Sequence, residues 1–72
     1  MKTLTKSNLS LYIFEIGETV TLESDRVVVG SPPKFIISDC NISDSVLHVG
    51  VTPPDDWFGC KYTFDGTDWT LA

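Results

Sequence analysis

Catalysis or soft-metal binding in this chain would have to start from His48, Cys40 and Cys60, the one histidine and the two cysteines it contains. A general base works beside a nucleophile or a carboxylate that orients it, and no Ser-His-Asp or Cys-His grouping is signalled here. Two cysteines and a histidine at wide spacing do not make a zinc site. His48 falls in the apolar run Val46 to Val51, where it reads as a surface or half-buried strand histidine. Asp39-Cys40-Asn41-Ile42-Ser43-Asp44 offers oxygens at alternate positions, as a calcium loop begins. The glycine such a loop needs at its sixth position is Asp44, and the bidentate glutamate at its twelfth is Gly50. Asx turns at Asp39 and Asn41 account for the segment instead. Gly30-Ser31-Pro32-Pro33 cannot cradle a phosphate, because its two prolines lack amide donors. The inventory of acid, base and nucleophile is too thin for an enzyme, and neither a cofactor nor a metal is implied.

Sugar binding is the chemistry the residue types suit better. Trp57, Tyr62 and Trp69, with Asp55, Asp56 and Asp68, could form a stacking platform rimmed by carboxylates. The same aromatics also suit a β core and its rim. Alternation already accounts for Tyr62 and Trp69 as core residues, and it leaves Trp57 without an explanation.

The elements that must position these residues are strands. Cys60, Tyr62 and Phe64 alternate with Lys61 and Thr63, Asp65-Gly66 supplies a turn, and Trp69 and Leu71 resume the alternation. A two-residue turn at Asp65-Gly66 opposes Tyr62 with Trp69. A four-residue loop, Asp65 to Asp68, pairs Phe64 with Trp69 and Tyr62 with Leu71. Both keep every apolar residue on one face, and the four-residue loop is preferred. A two-residue turn at Gly66-Thr67 would oppose Asp65 with Asp68, which like charges disfavour. Further strands are expected at Lys2–Thr5, Leu9–Ile16, Thr19–Glu23, Val27–Val29, Phe35–Ile37 and Val46–Val51. Turn clusters separate them at the short spacing of a barrel or sandwich. Thr52-Pro53-Pro54-Asp55-Asp56-Trp57 has the capping pattern of a single helical turn, with Trp57 and Phe58 then plugging one end of the barrel. Leu9–Ile16 is apolar on both faces, with Leu9, Leu11 and Ile13 on one and Tyr12, Phe14 and Ile16 on the other. Such a strand is either sandwiched or covered by another subunit. Tyr12 and Phe14 are therefore candidate interface residues, beside Trp57, Asp55 and Asp56 as candidate ligand residues.

Seventy-two residues make one domain, and a domain this small is marginal without a disulfide, a metal or a partner. Its formal charge of −5 lies wholly in the second half. Positions 1–38 balance four acids against four bases. Positions 39–72 set Asp39, Asp44, Asp55, Asp56, Asp65 and Asp68 against Lys61 alone. Such a surface repels phosphate backbones, so nucleic acid is not an expected partner. No segment approaches a membrane span, and the opening residues lack the pattern of a signal peptide, so the chain reads as complete and made in a cytoplasm. In that setting Cys40 and Cys60 are expected to be free thiols, with Cys60 packed on the apolar face of the last hairpin.

The run Thr52-Pro53-Pro54-Asp55-Asp56-Trp57-Phe58-Gly59-Cys60-Lys61-Tyr62-Thr63-Phe64-Asp65-Gly66-Thr67-Asp68-Trp69-Thr70-Leu71, with the opening Met1 to Tyr12, resembles small proteins encoded by tailed phages of marine cyanobacteria and related ocean bacteria. Its Tyr-x-Phe-Asp-Gly-Thr-x-Trp pattern is similar to hairpins that close modules of phage tail and fibre proteins. The resemblance implies a phage protein, present in the virion or the infected-host cytoplasm, and carries over no catalytic or binding residue. The combined expectation is an all-β chain folded as a five- or six-stranded antiparallel barrel of the SH3-like or Sm-like kind, closed by its C-terminal hairpin. Its expected role is that of a non-enzymatic structural or assembly component, partnered by copies of itself or by other virion proteins. The alternative is a carbohydrate-binding module holding a host glycan.

Overall fold

Two consecutive residues with positive φ, Ser7 at 52° and Asn8 at 65°, reverse the chain after its first strand. A two-residue turn of this kind matches the twist of the strands it joins, and Lys6 faces Leu9 across it. In the computed structural model, which describes residues 1–72, no residue is helical. Eight strands follow one another: β1 (Lys2–Lys6), β2 (Leu9–Phe14), β3 (Val20–Leu22), β4 (Val27–Val29), β5 (Phe35–Ile37), β6 (Ser45–Val49), β7 (Tyr62–Phe64) and β8 (Trp69–Leu71). They form two antiparallel sheets, one of five strands in the order β6-β1-β2-β7-β8 and one of three in the order β3-β4-β5.

Every expected strand exists, with four ends shifted by one residue and three by two. β2 stops at Phe14, because Glu15 to Glu18 closes a turn through the Glu18 N–H to the Glu15 carbonyl, leaving Ile16 in solvent. β6 stops at Val49, because Gly50 takes a φ of 76°. β7 starts at Tyr62, because Cys60, at a φ of 69°, belongs to the preceding turn. The expected helical turn at Thr52–Trp57 reduces to one β-turn, in which the Trp57 N–H donates to the Pro54 carbonyl at 3.0 Å. Two prolines leave few amides free for anything longer.

The alternation read along Leu9–Ile16 is broken within β2. Leu4 of β1 faces Tyr12 while Thr5 faces Ser10, so Leu11 is an extra residue and forms a bulge. The bulge puts Phe14 on the face that carries Leu4 and Leu47 and leaves Ser10 on the face that carries Thr5. Leu4 and Phe14 pack against the three-stranded sheet, with Val27, Val29, Ile37 and Cys40 completing the buried cluster and Leu11, Val20, Leu22 and Leu47 at its margin.

The other face of the larger sheet is the inside of a curl. Thr3 and Thr5 of β1 lie beside His48 and Val46 of β6, and the His48 ring meets the Phe64 ring of β7 edge-on at 5.0 Å. β6 and β7 are separated by two intervening strands, which in a flat sheet would hold them about 14 Å apart. Contact between their side chains requires the sheet to bend around Thr3, Thr5 and Ser10, all of which are buried. Small hydroxyl residues fill that interior because little space is left inside so tight a curl.

Candidate functional site

The curl leaves a cleft between its two ends. β6 and the residues after it (Leu47 to Thr52) make one wall, and the β7–β8 hairpin (Phe64, Gly66, Thr67, Trp69) makes the other, around a volume of about 760 Å³. The hairpin has the register of the preferred four-residue loop: Phe64 opposes Trp69 and Tyr62 opposes Leu71 across Asp65 to Asp68. Asp65 organises that loop. One carboxylate oxygen accepts from the Thr67 and Asp68 amides at 2.9 and 2.8 Å, and Gly66 takes a φ of 105°. Those amides, Asp68 first, hold the Asp65 carboxyl below its ordinary value. Phe64 and Trp69 stack with centroids 4.5 Å apart, and Tyr62 meets Trp69 edge-on at 6.4 Å. Trp69 thus presents an aromatic wall to the cleft, opposite His48 and Thr52.

Trp57 belongs to a different arrangement. Its indole N–H donates to Ser10 Oγ at 3.0 Å, and Ser10 Oγ lies 2.6 Å from Thr3 Oγ1, whose own proton goes to the Tyr12 carbonyl at 2.9 Å. Thr3 has one proton and gives it to Tyr12, so Ser10 donates to Thr3. The relay runs in one direction, from indole to backbone carbonyl, with every member satisfied. Next to it, Asp56 accepts from Lys61 Nζ at 2.8 Å and from the Tyr62 hydroxyl at 2.7 Å. Lys61 and then Tyr62 lower the Asp56 carboxyl, and Asp56 in turn raises the Tyr62 phenol. Asp55 stands exposed in the turn with no ion pair. Trp57 and Asp56 are therefore both engaged in holding the segment from Pro54 to Tyr62 against the sheet. Phe58 does not plug the interior: it is exposed, with Lys61 Nζ 5.1 Å above its ring.

Tyr12 and Phe14 stack on each other at 6.1 Å, on the face toward the smaller sheet. Phe14 is buried in the chain's own core, which accounts for it without a second subunit, while Tyr12 is 39% exposed. Tyr12 lines a second, smaller cleft of about 280 Å³ with Leu11, Ile37, Asp39, Cys40 and Cys60. The two thiols are free. Cys40 is buried, and Cys60 is exposed rather than packed on the hairpin face, because its turn conformation carries it out of the strand. In the Asp39–Asp44 loop, Asn41 Oδ1 accepts from the Ser43 and Asp44 amides, and Asp44 Oδ1 accepts from the Asn41 amide and the Ser45 hydroxyl. The Asx turn expected at Asn41 forms, whereas the Asp39 carboxylate makes no hydrogen bond. Asp44 also pairs with Lys6 at 3.4 Å, and the Asn41 amide is the main reason its carboxyl is lowered.

Sequence reasoning placed Trp57, Asp55 and Asp56 together, and they do share one turn. It missed the larger cleft. Phe64, Trp69, His48 and Thr52 come together there through the curvature of a whole sheet, which no local pattern encodes. The alternation of Phe64 and Trp69 with polar neighbours was the one usable signal, and it says only that the two share a face. The chain matches no protein-family model, no curated protein and no solved structure.

Proposed function

We propose that this protein is a non-enzymatic structural or assembly component that works by associating with itself and with other proteins. On this reading the five-stranded sheet is one open half of a small barrel of the SH3-like or Sm-like kind, backed by the three-stranded sheet. The resemblance of both chain ends to tailed-phage proteins supports a phage origin and a place in the virion or its assembly.

One observation carries the reading: the chain exposes more large apolar side chains than it buries. The buried hydrophobics are eight, and four of them are only valine or cysteine (Val27, Val29, Val51 and Cys40), whereas ten large ones stand exposed. The exposed set concentrates on sheet edges: Phe35 and Ile36 on β5, Val46 and Val49 on β6, Leu71 on β8. Single exposed apolar residues are ordinary, but apolar edges with unpaired backbone groups are association surfaces. Sedimentation at micromolar concentration tests the proposal. A mass above the monomer's 8.0 kDa is expected, and a monomer at every concentration would refute self-association.

A glycan platform centred on Trp57 has less support, since the indole N–H is committed to Ser10 and the Asp56 carboxylate to Lys61 and Tyr62. Quenching of tryptophan fluorescence by host polysaccharide, lost in Trp57→Ala, would favour it over the assembly reading.

A further inference from the structure

The five-stranded sheet has an odd number of strands, all antiparallel to their neighbours. Its two edge strands, β6 and β8, therefore run in the same direction. They cannot complete the antiparallel pattern by pairing with each other. One additional strand running the opposite way would be antiparallel to both. In a ring of six strands, β6 and β7 would stand diametrically opposite, three places apart in either direction, and their inward side chains would meet at the centre. His48 and Phe64 already meet there. The curl thus has the geometry of a six-stranded ring with one place vacant, and the 760 Å³ cleft opens at that place.

The backbone on both sides of the gap is available. On β8 the Ala72 amide donates to the Lys61 carbonyl. Hydrogen-bonded and non-hydrogen-bonded pairs alternate along an antiparallel ladder, so Thr70 and Thr63 exchange bonds, whereas Leu71 and Trp69 direct their N–H and C=O groups away from β7. On β6, alternate residues likewise direct theirs away from β1. Half of the residues lining the cleft are hydrophobic, and of these Phe64 and Trp69 lie on the inward face, where an inserted strand would place its apolar side chains. No lysine or arginine lines the cleft. Asp65 and Asp68 belong to the hairpin loop whose Gly66 and Thr67 line the cleft, and Asp68 is in no ion pair.

We propose that the gap between β6 and β8 receives an extended segment of a partner protein, alternately apolar and cationic, which adds as a sixth strand antiparallel to both edges. Strand addition of this kind draws affinity from main-chain bonds and specificity from alternate side-chain pockets. A second copy of this chain is the poorer occupant. All eight of its strands are already paired, and each of its edge strands has a sheet behind it that a slot one strand wide does not admit.

The test uses a capped decapeptide of alternating valine and lysine, with an alternating valine–glutamate decapeptide as comparison, on the full chain. Hydrogen exchange followed by NMR reads the individual amides. The lysine peptide is expected to slow exchange at Trp69 and Leu71, and the glutamate peptide is expected to bind at least roughly tenfold more weakly. Leu71→Pro removes an N–H that has no partner within the chain, so the fold is retained, as proline is tolerated on such edge positions. The same variant is expected to weaken the peptide by roughly tenfold or more. If that variant fails to fold, Asp68→Lys on the exposed loop takes its place, with weaker binding of the lysine peptide expected. Unchanged exchange at Trp69 and Leu71, equal binding of the two peptides, or undiminished binding by the folded variant would each overturn the proposal. So would protection of those two amides that rises with protein concentration alone, since the gap would then be filled by another copy.

Discussion

A single indole N–H explains why Trp57 is where it is. The sequence leaves that residue unexplained because its partner, Ser10, is 47 positions away, and the partner's own partner, Thr3, lies on a third segment. A relay whose members all have partners stabilises modestly, but opening it is expensive, because buried donors are then left unpaired. Ser10→Ala deletes the middle member, and with it the acceptor for Trp57 and the donor to Thr3. The variant should lose about 1–3 kcal/mol of stability, seen as a lower urea midpoint, with Trp57 fluorescence shifted as the indole is released. Charge acts at the same scale. Asp44, Asp56 and Asp65 all have carboxyls lowered by hydrogen-bond donors in the folded chain. Near pH 4 the folded state therefore binds fewer protons than the unfolded one. The contribution of these groups is complete above the ordinary aspartate value of ~3.9 and fades as pH falls through the lower folded values. Urea midpoints measured from neutral pH downward should stay level until that region and then drop. Asp44→Asn keeps an acceptor for the Asn41 amide but does not titrate, and it should flatten part of the drop.

Turns and ladders were more legible than boundaries. The last hairpin was legible as a hairpin and in its facing. Facing allows both a Tyr62–Trp69 register, from a two-residue turn at Asp65-Gly66, and the Phe64–Trp69 register of the preferred four-residue loop, which is the one that forms. The bulge at Leu11 was not legible. An extra residue in a strand leaves no mark on an apolar run in which both faces are already oily, so Leu9–Ile16 looked like a strand needing cover on two sides. In fact the bulge turns Leu11 and Phe14 toward the chain's own core and leaves Ser10 for the relay. Cys60 was misread for a related reason. Its type suits a strand, but a positive φ in the turn from Phe58 to Lys61 is a backbone demand that residue type does not announce. The β1–β2 turn offers a direct test at this scale. Ser7 and Asn8 both hold positive φ, a conformation that Asn and Gly adopt with least strain. The double change Ser7→Asn, Asn8→Gly supplies those residues in the favoured order. It should raise stability by about 1 kcal/mol, read as a higher melting temperature with an unchanged circular dichroism spectrum.

The molecule as a whole is thinly filled. Thirteen of 72 residues are buried, and a radius of gyration of 11.5 Å is about what a compact chain of this length has. The shortfall is therefore one of core volume rather than of collapse. A domain this small recovers stability from outside its own interior: from a crosslink, a metal or a partner. Its cysteines are free, which directs attention to partners. If copies associate through apolar edges, folding is linked to association, and the melting temperature must rise with protein concentration. The β5 edge is the place to interrupt this, because Phe35 and Ile36 are about half exposed there and lie outside the buried cluster. Phe35→Thr with Ile36→Thr keeps β-branched residues suited to a strand and removes the oily surface. The variant should melt at a temperature independent of concentration, near that of the natural chain at its most dilute, and should sediment as a monomer. A variant that still melts higher when concentrated would move the contact to another edge. A natural chain whose melting ignores concentration would show that thirteen buried residues and 33 backbone hydrogen bonds hold the fold unaided.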